Sequence, residues 1–125
     1  MTPTPTPSAG RVVIDRYGPG QFVIAGTLYQ QAMLVFPDHA QAWQPSAEDG
    51  LLTFADFAPV LAATPKVELL IIGTGPTMAV LPAEVRRGLR AAGVAVECVD
   101  TRAACRTYNV LLAEERRVAA ALLPL

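Results

Sequence analysis

The stretch from Val67 to Val99 constrains the fold of this chain more than any other. Val67-Glu-Leu-Leu-Ile-Ile72 is a nearly continuous apolar run. That is the pattern of a strand buried on both faces, not of one alternating between core and water. After a loop, Leu81, Val85, Leu89 and Ala92 recur at i, i+4, i+8 and i+11, which draws one apolar stripe along a helix. Pro82 suits the first helical position, where its missing N–H would have had no partner. Arg86, Arg87 and Arg90 face away from the stripe, Glu84 is spaced to pair with Arg87, and Gly93 supplies a C-terminal stop. Val94–Val99 reads as a second strand, with Cys98 buried inside it. Strand, helix and strand at this spacing predict a right-handed βαβ crossover with a parallel strand pair, hence an α/β fold.

The first third of the chain carries β signals. Arg11–Asp15 is a short alternating run, Gly18-Pro19-Gly20 is a turn signal, and Ala25-Gly26 links Gln21–Ile24 to Thr27–Tyr29 as a tight hairpin. Met33–Phe36 is a further strand stopped by Pro37-Asp38, and Ala40–Trp43 is placed to pair with it. Trp43, a lone large aromatic among polar neighbours, is expected to anchor in the core. Thr53 caps a short helix over Phe54–Ala62 with Asp56 at the capping-box position. Pro59 keeps that helix brief or kinks it. At the end of the chain, Arg116–Leu123 is open between two readings. Its alanines favour a helix, and its run of apolar residues suits a last strand of the sheet.

Length allows one domain, predicted over residues 11–125, preceded by a Thr/Pro-rich tail over residues 1–10 that reads as disordered or extended. That tail has neither the basic start nor the apolar block of a secretory signal, and no apolar run is long enough to span a bilayer. The cytoplasm is therefore the expected compartment. A formal net charge of −1 argues against nucleic acid as the partner. The hydrophobic fraction of 52% is inflated by alanine, yet it leaves enough apolar surface to be compatible with a homodimer. Cys98 and Cys105 are read as free thiols in a reducing compartment, as free cysteine is usually buried, and no spacing suggests a zinc site or a redox pair.

Gly73-Thr-Gly-Pro-Thr-Met78 follows a strand and precedes a helix, which invites a dinucleotide-binding reading with Asp100 as the ribose contact. The details weaken it. Met78 occupies the third glycine position, Pro76 lacks an N–H, and the helix begins late. A tight turn is the plainer use of the two glycines. No cofactor is expected. Catalytic groupings are sparse. His39 is the only histidine, Ser8 and Ser46 lie in unpromising loops, and a lowered pKa at Cys105 would rest on nearby Arg102 and Arg106. These residues favour a non-enzymatic protein without settling the matter.

The geometry of the βαβ unit still marks a candidate site. The loops after the two parallel strands, Gly73–Thr77 and Asp100–Arg102, should lie side by side at the carboxyl edge of the sheet, where open α/β sheets place their crevices. The second loop opens a helix capped by Asp100 or Thr101. Gly73, Thr74, Gly75, Asp100, Thr101, Arg102, Arg106, Tyr108 and Asn109 are the candidate crevice residues. An anion or a partner's carboxylate would sit between the glycine loop and the arginines. A solvated arginine face is the simpler account of Arg102 and Arg106. For Tyr108 and Asn109 the simpler account is local hydrogen bonding.

Glu68-Leu-Leu-Ile-Ile-Gly-Thr-Gly-Pro76, the run from Asp100 to Leu122, the signposts Val35-Phe-Pro-Asp38, and Trp43 together carry a family likeness. The chain resembles, from Val12 onward, the small hypothetical proteins grouped with the adipogenesis-associated domain protein and with mitochondrial complex I assembly factor 3. The resemblance implies a single α/β domain with a mixed central sheet, packed helices and an additional β layer. It also implies a strand over Arg116–Leu123, since members carry Glu-Gly-Arg where this chain has Glu114-Glu115-Arg116. It implies no known enzymatic activity, and an assembly role exercised through an unidentified protein partner. The alternative on the residues is a binder or enzyme for an anionic metabolite at the crevice.

Overall fold

A computed structural model of the chain describes residues 11–45 and 52–125. The Thr/Pro-rich tail and Ser46 lie outside the described residues. The fold is a mixed α/β domain with two sheets. β1 (Ile14–Gly18), β2 (Gln21–Ile24) and β3 (Thr27–Tyr29) form an antiparallel three-stranded sheet in that order. The alternating run at Arg11–Asp15 thus enters its strand three residues later than its pattern suggested. Ala25 and Gly26 turn β2 into β3 with φ of 49° and 83°, the left-handed pair that a two-residue hairpin link requires.

The larger sheet contains β4 (Met33–Val35), β5 (Ala40–Ala42), β6 (Leu69–Gly73), β7 (Ala95–Val99) and β8 (Val118–Leu122), in the order β5-β4-β8-β6-β7. β6 runs parallel to both β7 and β8, and β4 runs antiparallel to β8 and β5. The expected βαβ unit is β6, α2 (Ala83–Ala91) and β7. The ambiguous C-terminal run is a strand, and a central one. Glu115 holds φ at 61°, a left-handed conformation usually left to glycine, and so turns the chain from α3 (Thr101–Ala113) into β8.

The period of two along the strands divides the core into two layers. Leu34, Leu70, Ile72, Ala119 and Ala121 point to one face of the large sheet. There they meet Val85 and Leu89 of α2 and Phe57 and Val60, which belong to a 3-10 turn (Phe54–Phe57) running into α1 (Ala58–Leu61). Met33, Val35, Ile71, Val118, Ala120 and Leu122 point to the other, against Ala104, Cys105, Tyr108 and Leu112 of α3 and Phe22 and Ile24 of the small sheet. The small sheet is thus the additional β layer.

Trp43 anchors in the first layer, its indole N–H donating to the Asp56 carbonyl at 2.9 Å. The Asp56 carboxylate accepts from the Thr53 N–H at 2.8 Å, as a capping box requires. Pro59 falls in the first turn of α1, where its missing N–H removes no helical bond, and α1 runs for a single turn. Two details differ from expectation. Pro82 caps α2 from outside and is not its first residue. β7 is an edge strand, so Cys98 is half-buried, because a strand's apolar run does not reveal whether a neighbour covers its outer side. Arg86 protects that edge by donating to the Val96 carbonyl at 3.4 Å.

Glu115→Gly removes the steric cost of the left-handed conformation, which for an L-residue is about 1–2 kcal/mol, against a larger backbone entropy loss. The expected net result is a gain of about 0.5–1 kcal/mol, read as a higher urea midpoint with an unchanged slope.

Candidate functional site

β6 and β7 end together, Gly73 opposite Val99, and deliver their loops to one rim as the parallel pairing requires. The Thr74 N–H donates to the Val99 carbonyl at 2.9 Å. Gly75 and Thr101 bond reciprocally: the Thr101 N–H donates to the Gly75 carbonyl at 2.9 Å, and the Gly75 N–H donates to the Thr101 hydroxyl oxygen at 2.8 Å. That hydroxyl in turn donates to the Leu123 carbonyl at 2.7 Å, so one side chain ties the ends of β6, α3 and β8. Thr101 is completely buried. Gly73 is needed for the close approach of helix to strand, since a Cβ there would fall 2.9 Å from both the Thr101 Cα and its Oγ1. Gly75 meets the turn with φ of 101°.

Asp100 caps α3, its carboxylate accepting the Ala103 N–H at 3.0 Å. The positive end of the helix therefore already faces an anion from its own chain. Beyond Gly75 the loop is held from within. The Thr74 hydroxyl donates to the Thr77 carbonyl at 2.8 Å and accepts the Ala79 N–H at 2.9 Å. This loop presents Met78 and Val80, which are 62% and 86% exposed.

The candidate residues separate into two groups. Gly73, Thr74, Gly75, Asp100 and Thr101 share the rim, with Arg102 exposed next to it. Arg106, Tyr108 and Asn109 are occupied one layer away, at the contact of α3 with β1. The Arg106 guanidinium donates to the Tyr17 hydroxyl at 3.2 Å. The Tyr108 hydroxyl donates to the Val12 carbonyl at 3.2 Å. Asn109 clamps Ile14 at both ends, accepting its N–H at 3.0 Å and donating to its carbonyl at 2.8 Å. Helical spacing shows which residues share a face of α3. It does not show that a distant hairpin layer covers one of those faces. The Thr101 hydroxyl bridge was equally hidden, because its acceptor lies 22 residues downstream.

Both cysteines are free. Cys105 is fully buried, and burial pushes its thiol up to about 12, with Arg106 opposing and Asp100 reinforcing the shift. Burial also raises the Cys98 thiol, against the pull of Arg86. Neither environment activates a nucleophile. Among the described residues, no three His, Cys, Asp or Glu side chains converge as a metal site.

Comparison with known proteins places this arrangement. A family model described as a protein of unknown function (DUF498/DUF598) matches residues 14–123. The chain belongs to that family. It is 41% identical over 125 residues to an uncharacterized protein of Rhodobacter capsulatus, covering 100% of this chain and 94% of the relative. It is also 35% identical over 117 residues to the NADH dehydrogenase [ubiquinone] 1 alpha subcomplex assembly factor 3 of Danio rerio. That match covers 94% of this chain and 66% of the assembly factor. Among solved structures, an outer membrane protein from Bartonella henselae superposes with a TM-score of 0.82 at 36% identity, covering 92% of this chain and 96% of that one. In the present family member no helix among the described residues is long and apolar enough to cross a membrane.

Two outcomes follow from this packing. Gly73→Ala forces a backbone collision, and Thr101→Val strands the buried Gly75 N–H. Each is expected to lower unfolding free energy by roughly 1–3 kcal/mol in chemical denaturation. The raised Cys105 thiol stabilises the fold in full below its ordinary value of 9.0, and that contribution is lost as pH climbs toward about 12, because the unfolded chain releases the proton first. Alkaline unfolding should therefore be shallower in Cys105→Ala than in the unaltered protein, measured as denaturation midpoint against pH.

Proposed function

We propose that this family member is a non-enzymatic protein-interaction module of the assembly-factor kind, acting in the cytoplasm, with the rim at Gly73–Val80 and Asp100–Arg102 as its docking face. One observation carries this reading: the rim keeps its polar groups for itself and offers apolar ones. The Gly75 N–H, the Thr101 hydroxyl and the Asp100 carboxylate are bonded within the chain, whereas Met78 and Val80 stand in water. An anionic metabolite at this rim would have to displace the Asp100 carboxylate from the helix it caps. A partner protein need only cover the apolar loop. That loop is already shaped by the Thr74 hydroxyl, so little ordering entropy is lost on binding. Arg102, exposed beside it, suits an acidic residue on the partner.

Kinship with a complex I assembly factor supports a partner drawn from the subunits of an NADH dehydrogenase. The test is quantitative affinity capture from the protein's own cell extract, comparing the unaltered chain with the double variant Met78→Asp, Val80→Asp. These side chains lie outside the core, so the thermal midpoint should not move. Retrieval of the specific partner is expected to fall about tenfold or more, the scale of a lost interface anchor. Equal retrieval by both forms would remove the rim as the docking face. A thermal stabilisation by phosphorylated metabolites that vanishes in Arg102→Ala would support the small-molecule alternative at the same rim.

A further inference from the structure

At the opposite edge of the large sheet, where β6 and β8 begin, lies a cavity of about 190 Å³. Its lining comes from four distant segments: Arg11, Phe36–His39, Ala63–Val67 and Arg117–Val118. Phe36, Val67 and Val118 are buried core residues, and they make one side of it apolar. Pro37, Ala63 and Pro65 extend the same character outward.

The mouth is charged. Arg11, Lys66 and Arg117 line the cavity, and Asp38 is the one lining carboxylate. Asp38 is engaged with His39, whose Nδ1 lies 2.7 Å from its carboxylate. The His39 ring stacks on Phe36 with centroids 4.5 Å apart, and its Nε2 meets the Gln41 side-chain oxygen at 3.2 Å. Arg117 is shared with Glu68 at 3.2 Å, in an exposed pair of small worth. Lys66 contributes its stem, because its ammonium lies over Gly93, 2.5 Å from where a Cβ would stand. Arg11 differs from the others. It is half-buried, and its guanidinium is in no ion pair among the described residues, although its charge acts on the Tyr108 hydroxyl.

We propose that this cavity binds a small monocarboxylate with an apolar body, a single ring or short alkyl chain, whose carboxylate pairs with Arg11. The size argues for it, since 190 Å³ falls below the roughly 300–1,000 Å³ of sites for drug-sized ligands. The walls argue for it as well: an apolar body gains from contact with Phe36, Val67 and Val118, which a bare inorganic anion does not. Asp38 at the mouth selects a single negative charge over a dianion. Arginine offers the fork of donors that matches a carboxylate. This site is separate from the rim and stands or falls independently of the docking reading.

The test is an amide-resolved NMR titration of the full chain with benzoate as the probe, and with benzamide and inorganic phosphate as the comparison arms. Benzoate should shift the amides of Phe36, His39, Val67 and Val118 saturably, while those of Thr74 to Val80 stay still. Benzamide and phosphate should bind more weakly by about tenfold, and Arg11→Gln should weaken benzoate by a similar factor. Arg117→Gln, also outside the core, removes a second positive charge and is expected to weaken benzoate to a smaller degree. Three results would each overturn the proposal: no saturable shift with benzoate, equal binding of benzoate and benzamide, or unaltered benzoate binding in Arg11→Gln. Phosphate matching benzoate on the same amides would reassign the cavity to inorganic anions, and so overturn it too.

Discussion

The last strand of the chain occupies the middle of its sheet, and the rest of the structure leans on that placement. β8 exchanges backbone hydrogen bonds with β4 on one side and β6 on the other. Its residues alternate between two hydrophobic layers, Ala119 and Ala121 facing one and Val118, Ala120 and Leu122 the other. Alanine is a poor strand former by itself, yet every residue of β8 is buried. Small side chains in the centre let α3 lie close to the sheet. Long-range pairing of this kind must wait until the whole chain is available, because loop-closure entropy is lost before any contact is gained.

The consequence at the carboxyl edge is a rim closed by its own hydrogen bonds. The Thr101 hydroxyl sits where β6 and β8 end and α3 begins, and satisfies the buried Gly75 N–H and the part-buried Leu123 carbonyl. Arg102 is exposed beside the rim, as are the apolar side chains of Met78 and Val80. The opposite edge is built differently, with an open cavity lined by Arg11, Lys66 and Arg117. The two ends of one sheet thus present two chemistries: a preshaped apolar loop at one, and a cationic mouth over an apolar floor at the other.

Much of this was legible in the residues before the coordinates. The pairing of β6 with β7 follows from a continuous apolar run, a striped helix and a second run. The hairpin at Ala25-Gly26 and the Thr53–Asp56 cap follow from turn and cap chemistry, which is local. The juxtaposition of the Gly73–Gly75 loop with Asp100-Thr101 follows from parallel strands of matched length. The region from Arg116 to Leu123 was open, because alanine's intrinsic preference points to a helix while its surroundings decide for a strand. Family likeness resolved it. Helical spacing sets Arg106, Tyr108 and Asn109 beside the rim because it assigns faces only, and no local signal reports that Tyr17, Val12 and Ile14 cover theirs.

The residues alone determined the parallel unit, its helix and the edge at which the loops emerge, since those depend on period, caps and turns read over a few neighbours. Tertiary structure decided the rest: which strand is central, which cysteine is sealed, which polar groups at the rim remain to be offered, and that Arg11, Phe36, Lys66 and Arg117 enclose one cavity. The reason is physical. Burial and hydrogen-bond satisfaction are set by residues far away in the chain, and a pattern along one segment carries no record of what packs against it.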